Sequence, residues 1–116
     1  MIIYLTGKYY GNNWQEIEDN ISVAKVISVR LWNLGYTVIC PHLNTAHFDD
    51  YCQNVTYEEW IFKYMSVLEL CDSLVLMPYY HLDESVKLVK QWAEYKNIPV
   101  YEYPNLPLLL KNAGKA

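Results

Sequence analysis

A dense group of chemically active side chains follows the apolar run that ends at Pro41, in the stretch VICPHLNTAHFDD (38–50). Its histidine, amide and carboxylate side chains are His42, His47, Asn44, Asp49 and Asp50. These residue types could ligate a metal, move protons in catalysis, or form the polar edge of a ligand pocket.

A metal centre is the first alternative. His42 and His47 are five positions apart on a predicted loop, whereas zinc motifs use recognised short spacings, such as two histidines on one helical face in HExxH. The stretch has no such form, so we predict no metal. A loop whose Asn, Thr and Asp side chains satisfy their own backbone stays open as a purely structural alternative.

A dinucleotide site is the second alternative. The first predicted strand runs into TGKYYG (6–11), which places two glycines four positions apart. A GxGxxG turn needs glycine where the backbone approaches a pyrophosphate, but Lys8, Tyr9 and Tyr10 fill that space. The chain also lacks the GxSxG turn of hydrolases. We therefore expect no cofactor.

Carboxylate catalysis is the third alternative. Asp72 precedes the third predicted strand, at the end of the sheet away from a cleft, so a structural role is expected. Asp83 and Glu84 open the third predicted helix on the cleft side. Helix capping and compensation of the helix dipole are the alternative roles for both.

An alternation of strands and helices must position these residues. Apolar runs predict strands over 1–6, 36–40, 73–78 and 98–103, and helical spacing predicts helices over 14–34, after Thr56 and after Asp83. LPLLL (106–110) is at most a short terminal helix, because prolines interrupt it. The pattern predicts a single α/β domain over 1–116, a three-layer Rossmann-like or flavodoxin-like sheet of four to five parallel strands.

Polar and aromatic residues follow the predicted strands at their carboxyl ends, in GKYYG, PHLNTAHFDD and PYYHLDES. Ligands of parallel α/β sheets bind beyond these ends, so the three segments should meet in one cleft. Tyrosine, with twelve copies, supplies flat faces that can stack on a ligand.

The composition excludes several classes of partner. The net charge is −4 and no Lys/Arg stripe is found, so binding to polymeric nucleic acid is not expected. Three scattered cysteines predict reduced thiols, and the chain has neither a signal peptide nor a membrane-length apolar run. We expect a cytoplasmic protein without a membrane partner. Val23, Val26 and Trp32 widen the apolar stripe of the first helix, which indicates a homodimer or higher homo-oligomer.

From Ile3 to Tyr103 the sequence resembles the nucleoside 2-deoxyribosyltransferase-like family, which includes small phage and bacterial members. The likeness is carried by Tyr4 and Gly7, the run from Ala24 to Tyr36, ICPHLNTAHFD (39–49), Trp60, Cys71-Asp72, Leu74 to Pro78, and Pro99-Val100. The resemblance implies chemistry at the anomeric carbon of a deoxyribose. In active members a glutamate of the third helix attacks that carbon, a strand tyrosine orients it, and an aspartate of the second helix assists proton transfer to the base.

The resemblance carries over unevenly. Tyr4 occupies the position of the strand tyrosine, and Asp83 that of the residue holding the 5′ end of the sugar. The glutamate position is Val89, the aspartate position is Tyr64, and a glycine of the family is Ser85. Valine cannot act as a nucleophile, and tyrosine with an ordinary pKa is a poor substitute for the acid. If the protein were active, Tyr4 and Asp83 would be its catalytic candidates.

We therefore expect a non-catalytic protein that binds, and thereby sequesters, a nucleoside, a nucleotide or a nucleotide-derived signal. Two alternatives stay open: a divergent N-glycoside hydrolase or 2-deoxyribosyltransferase, and a protein-interaction module. The predicted ligand-binding residues are Tyr4, Gly7, Lys8, Tyr9, Tyr10, His42, Asn44, Tyr80, Asp83, Ser85 and Val89.

Overall fold

The computed structural model describes residues 1–106, without the side chain of Tyr57. Four strands alternate with helices along the chain. The strands are β1 (Ile2–Thr6), β2 (Thr37–Ile39), β3 (Ser73–Leu76) and β4 (Val100–Glu102). The α-helices are α1 (Trp14–Asn33), α2 (Pro41–Asn44), α3 (Tyr57–Leu68) and α4 (Glu84–Tyr95), and short 3-10 turns cover Phe48–Asp50 and Tyr80–Leu82.

The strands form one parallel sheet in the order β2-β1-β3-β4. In the register of the central strands, Tyr4 of β1 pairs with Ile39 on one side and with Leu74 on the other. The order places β1 and β3 at the centre, so their carboxyl ends, after Thr6 and Leu76, lie side by side. The predicted α/β fold is confirmed, with four strands in the described part of the chain.

Alternate residues of the central strands pack on opposite faces of the sheet, as the two-residue period of a strand requires. Ile3 and Leu5 belong to the core that also contains Ala24, Ile27 and Leu31 of α1. Tyr4, Leu74 and Leu76 belong to the other core, which α3 closes with Leu68 and α4 with Val86, Val89 and Ala93. Helices therefore cover both faces, which gives the predicted three layers.

The helix ends follow local sequence signals. The side chain of Asn13 accepts from the amide of Glu16 at the start of α1, and that of Thr56 accepts from the amide of Glu59 at the start of α3. Gly35, with φ of 99°, ends α1 in the left-handed region that glycine adopts at low cost. Asp72 accepts from the amide of Ile2 at 2.6 Å, which agrees with its predicted structural role.

The observed elements differ from the sequence-based boundaries mainly at their ends. β2 and β4 have three residues each, because only the residues that pair with a neighbouring strand join the ladder. Two further short helical segments, Pro41–Asn44 and Phe48–Asp50, lie in the stretch predicted as a loop. The segment LPLLL (106–110), expected to form at most a short terminal helix, lies outside the described residues except for Leu106. No helix of residues 1–106 is both long and apolar enough to span a membrane.

The apolar outer side of α1 agrees with the wide stripe seen in the sequence. Val23, Val26, Val29 and Trp32 are each about half exposed, at 49 to 52%. Association through this surface stays a prediction.

Gly7, directly after β1, lies where the backbone passes close to β3. A Cβ atom at this position would be 2.7 Å from the Cβ of Met77, which is buried. We expect Gly7→Ala to lower the free energy of unfolding by about 1–3 kcal/mol, because an extra methyl group in a packed core forces a shift of backbone. Urea denaturation measures the change. A neutral effect of Gly7→Ala would show that the segment can move away from Met77 without cost.

Candidate functional site

A cavity opens at the carboxyl ends of β1, β2 and β3, the edge at which the sequence predicted a cleft. It is open to solvent on one side and has a volume of about 120 Å³. Its lining residues come from β1 and the segment after it, from α2 and the loop that follows, from α3, and from the N-cap and first two turns of α4. They are Tyr4, Thr6, Gly7, Tyr9, Tyr10, Pro41, His42, Thr45, Asp49, Trp60, Ile61, Tyr64, Asp83, Ser85, Val86 and Val89.

His42 fixes one wall of the cavity. Pro41 starts the short helix α2, where a proline needs no amide donor, and this turn directs His42 inward to 3% exposure. The Nε2 atom of His42 donates to the carbonyl oxygen of Lys8 at 3.0 Å. Burial lowers the pKa of His42. The carbonyls of Lys8 and Gly7 and the charge of Asp83 act in the opposite direction but are smaller causes. Among the described residues, the Nδ1 atom of His42 is buried without a hydrogen-bond partner.

Tyr64 connects α3 to the loop after β2. Its hydroxyl accepts a hydrogen bond from Nδ2 of Asn44 at 3.1 Å and is hydrogen-bonded to Oγ1 of Thr45 at 2.7 Å. Thr45 also donates to the carbonyl oxygen of Pro41. These bonds hold Thr45 and Tyr64 together at the cavity wall.

Tyr9, which follows β1, contacts His47 in the loop that follows α2. Its hydroxyl accepts from the backbone amide of His47 at 3.0 Å, and Nε2 of His47 is hydrogen-bonded to the carboxylate of Glu18 on α1. The ring of His47 also stacks on Trp14 with centroids 5.7 Å apart. Since His47 has a left-handed backbone with φ of 60°, which costs energy in a non-glycine residue, these contacts are what hold the loop against the cavity.

Asp83 caps helix α4 beside the cavity. Its Oδ1 atom accepts from the amide of Ser85 at 2.9 Å and from the hydroxyl of Ser85 at 2.6 Å. The helix N-terminus favours a negative charge there. The capping role that the sequence offered as an alternative is confirmed, and it leaves Asp83 on the cavity wall.

Tyr4 and Val89 form the floor of the cavity. They are 2% and 8% exposed and belong to the same packed core. Burial, with smaller contributions from Tyr64 and two cysteines, raises the pKa of the Tyr4 hydroxyl far above its ordinary value. Within residues 1–106 that hydroxyl forms no hydrogen bond, and no carboxylate is among the groups that shift its pKa.

The fold of this chain is similar to that of a solved enzyme structure. A solved structure of a 2-deoxyribosyltransferase from the psychrotolerant bacterium Bacillus psychrosaccharolyticus superposes with a TM-score of 0.55 and 18% sequence identity, over 98% of this chain and 82% of that chain. This chain has a deoxyribosyltransferase-like fold. No protein-family model and no curated protein sequence matches the chain.

Within this deoxyribosyltransferase-like fold, eight of the eleven predicted ligand-binding residues line the cavity, namely Tyr4, Gly7, Tyr9, Tyr10, His42, Asp83, Ser85 and Val89. The other three lie behind or outside it. The Lys8 carbonyl holds His42, and the Asn44 amide holds Tyr64. Tyr80 lies outside the cavity, where Nζ of Lys90 is 3.4 Å from its hydroxyl.

Several lining residues were not predicted as site residues. Trp60, Ile61 and Tyr64 lie on the inward face of α3, where their helical spacing indicated core packing. Thr45 and Asp49 belong to the polar loop of the opening stretch, and Thr6 precedes Gly7 at the end of β1. The position of Thr6 at the end of a predicted strand was the signal that could have identified it as a lining residue. In the described residues, no group of three or more His, Cys, Asp and Glu side chains is arranged to hold a metal.

Proposed function

We propose that this protein binds a nucleoside or nucleotide-derived ligand in the cavity without cleaving its glycosidic bond. Three features support this. The fold is similar to that of a 2-deoxyribosyltransferase, the cavity lies where parallel sheets bind ligands, and its lining combines aromatic faces with a few hydroxyl and carboxylate groups. Such a lining suits a flat base joined to a hydroxylated sugar.

The pair Tyr4 and Val89 carries the proposal that cleavage is lost. Cleavage through a covalent glycosyl intermediate requires a carboxylate against the anomeric carbon. The resemblance puts that glutamate at position 89, where the chain has an aliphatic side chain packed in the core with Tyr4. The Tyr4 hydroxyl, which would orient the carboxylate, has no described partner. A ligand hydroxyl or ring nitrogen can take that place.

The two carboxylates that line the cavity, Asp49 and Asp83, are at other positions than residue 89. Asp83 is bound to both hydrogen-bond donors of Ser85. Asp49 is an exposed residue of the loop, 3.4 Å from the Tyr10 hydroxyl. Their presence is the observation that favours the enzymatic alternative, a divergent N-glycoside hydrolase or transferase, and the test below separates the two.

The size of the cavity indicates how the ligand is held. Its 120 Å³ exceeds the space of a few water molecules but is below the roughly 300 Å³ of a pocket that encloses a whole drug-sized ligand. A ligand of nucleoside size would therefore extend beyond the cavity, whose lining includes the partly exposed Tyr10.

The test combines binding and turnover on one panel of deoxyribonucleosides, ribonucleosides and their 5′-monophosphates. We expect calorimetric binding of at least one compound and a thermal shift that grows with its concentration. Chromatography of the same mixtures after prolonged incubation should show no released base.

Two results would contradict the proposal. Base release that disappears in Asp83→Ala and persists in Val89→Ala would establish an enzyme that uses a different carboxylate. Absence of binding by every purine and pyrimidine compound would favour the protein-interaction alternative.

A further inference from the structure

The cavity has an unbalanced charge. Two carboxylates, Asp49 and Asp83, line it, and among residues 1–106 no lysine or arginine does. His42 does not offset them, because burial lowers its pKa. Within residues 1–106 neither carboxylate forms an ion pair: the basic partners found nearby bind Glu18 and Glu84 instead.

The negative potential reaches both sides of the cavity. On the loop side, burial is the largest cause that raises the pKa of Tyr9. The charges of Asp49, Asp50 and Glu18 raise this pKa further, whereas the hydrogen bond from the His47 amide lowers it. On the α4 side, Asp83 acts on His42 in the same sense. A recess lined by one sign of charge between low-dielectric walls concentrates the potential and attracts the opposite charge.

The aromatic lining points the same way. Five aromatic side chains, Tyr4, Tyr9, Tyr10, Trp60 and Tyr64, surround the space. The rings of Tyr9 and Tyr10 are nearly perpendicular, at 86° with centroids 4.9 Å apart, and Tyr9 meets His42 at 76°. These rings therefore line the space in more than one plane. Aromatic faces attract organic cations, most strongly when the cation is desolvated.

An independent observation that points to a ligand is a buried polar atom of the lining that has no hydrogen-bond partner in the described residues. His42 is 3% exposed and lines the cavity, yet its Nδ1 atom is buried without a hydrogen-bond partner in the described residues. A buried polar atom without a hydrogen bond is costly unless a ligand supplies one.

We propose that the site selects a nucleoside whose base carries a positive charge, such as an N-alkylated purine, over neutral nucleosides and over 5′-phosphates. This inference rests on the proposed function and specifies its ligand class. The charged base lies among the aromatic rings, with the carboxylates of Asp49 and Asp83 as counter-charges. A 5′-phosphate is disfavoured because the described part of the chain contributes no lysine or arginine to the lining to meet it.

The test uses two isomers with the same heavy atoms, one of which carries an additional proton and a positive charge at neutral pH. 1-Methyladenosine is cationic at neutral pH, whereas N6-methyladenosine is neutral. We expect calorimetry at low salt to show that the cationic isomer binds about tenfold or more tightly, with a preference that shrinks as salt is added. Adenosine 5′-monophosphate should bind more weakly than adenosine.

Two variants test the origin of the preference. Asp49→Asn keeps the shape of the side chain and removes its charge, so the preference for the cation should fall severalfold. Glu84→Gln removes a charge next to Asp83, from a residue that pairs with Lys87 outside the cavity, and should leave the preference unchanged.

The outcomes separate this inference from the proposed function. If the neutral isomer binds as tightly as the cationic one, or if Glu84→Gln lowers the preference as much as Asp49→Asn, the charge selection is wrong and nucleoside binding stands. If no nucleoside of either charge binds, the proposed function fails together with it.

Discussion

Leu74→Ala is expected to lower the free energy of unfolding by about 2–5 kcal/mol, the largest stability effect of any substitution considered for this protein. Leu74 is fully buried on β3 and packs in the core between the sheet and helices α3 and α4. Removing its isobutyl group loses apolar burial and leaves a cavity that strands paired on both sides cannot close. Urea denaturation, with the slope unchanged, measures the effect.

Leu70→Ala is the matched control for this substitution. Leu70 follows α3 and is 80% exposed, so the same change should stay within about 0.5 kcal/mol. A similar loss for both variants would mean that the core between β3 and the two helices is not packed as the structure has it.

Val89→Glu is expected to destabilise the protein in a pH-dependent way. Val89 is 8% exposed, and a carboxylate there would lie in a cavity that already holds Asp49 and Asp83. Burial and like charge both favour the neutral acid, so the pKa of the new glutamate should rise above the ordinary value near 4.3. Because the folded state then holds its proton more tightly than the unfolded state, the glutamate costs little below about pH 4 and progressively more as the pH rises through the raised pKa.

Val89→Gln provides the comparison, because glutamine has nearly the same shape and does not ionise. We expect the two variants to be equally stable near pH 4 and the glutamate variant to be less stable by about 1–3 kcal/mol near pH 8. Chemical denaturation at both pH values measures the difference. A glutamate variant more stable than the glutamine variant at pH 8 would show that the Tyr4 hydroxyl still accommodates an ionised acid, as a catalytic site requires.

The fold was predictable because its signals are local. The three-to-four-residue spacing of Ala24, Ile27 and Leu31 reflects one buried face of a helix, and their burial on α1 confirms it. Thr56 and Asp83 marked helix starts because their side chains bind amides two or three residues ahead. Strand lengths were overestimated, since pairing with neighbouring strands, and not apolar character alone, decides where a ladder ends.

The site was predictable only in part. Residues next to strand ends, such as Gly7 and His42, could be placed because the topology of a parallel sheet brings those ends together. Tyr80 also follows a strand, but its 3-10 turn places it outside the cavity, beside Lys90. Trp60 and Tyr64 matched an ordinary apolar helix face, and nothing in their spacing distinguishes a side chain that fills a core from one that borders a cavity.

By itself the amino-acid sequence determined which residue types are present and which elements they form: an α/β order with capped helices. Only the tertiary structure decided which distant side chains meet, such as Tyr64 with Asn44 and Thr45, and that the cavity lining formed by the described residues has two carboxylates and no lysine or arginine. The physical reason is range. Periodicity and capping act over a few residues, whereas the shape and charge of a cavity come from side chains that are remote in sequence and are brought together by the packing of three layers.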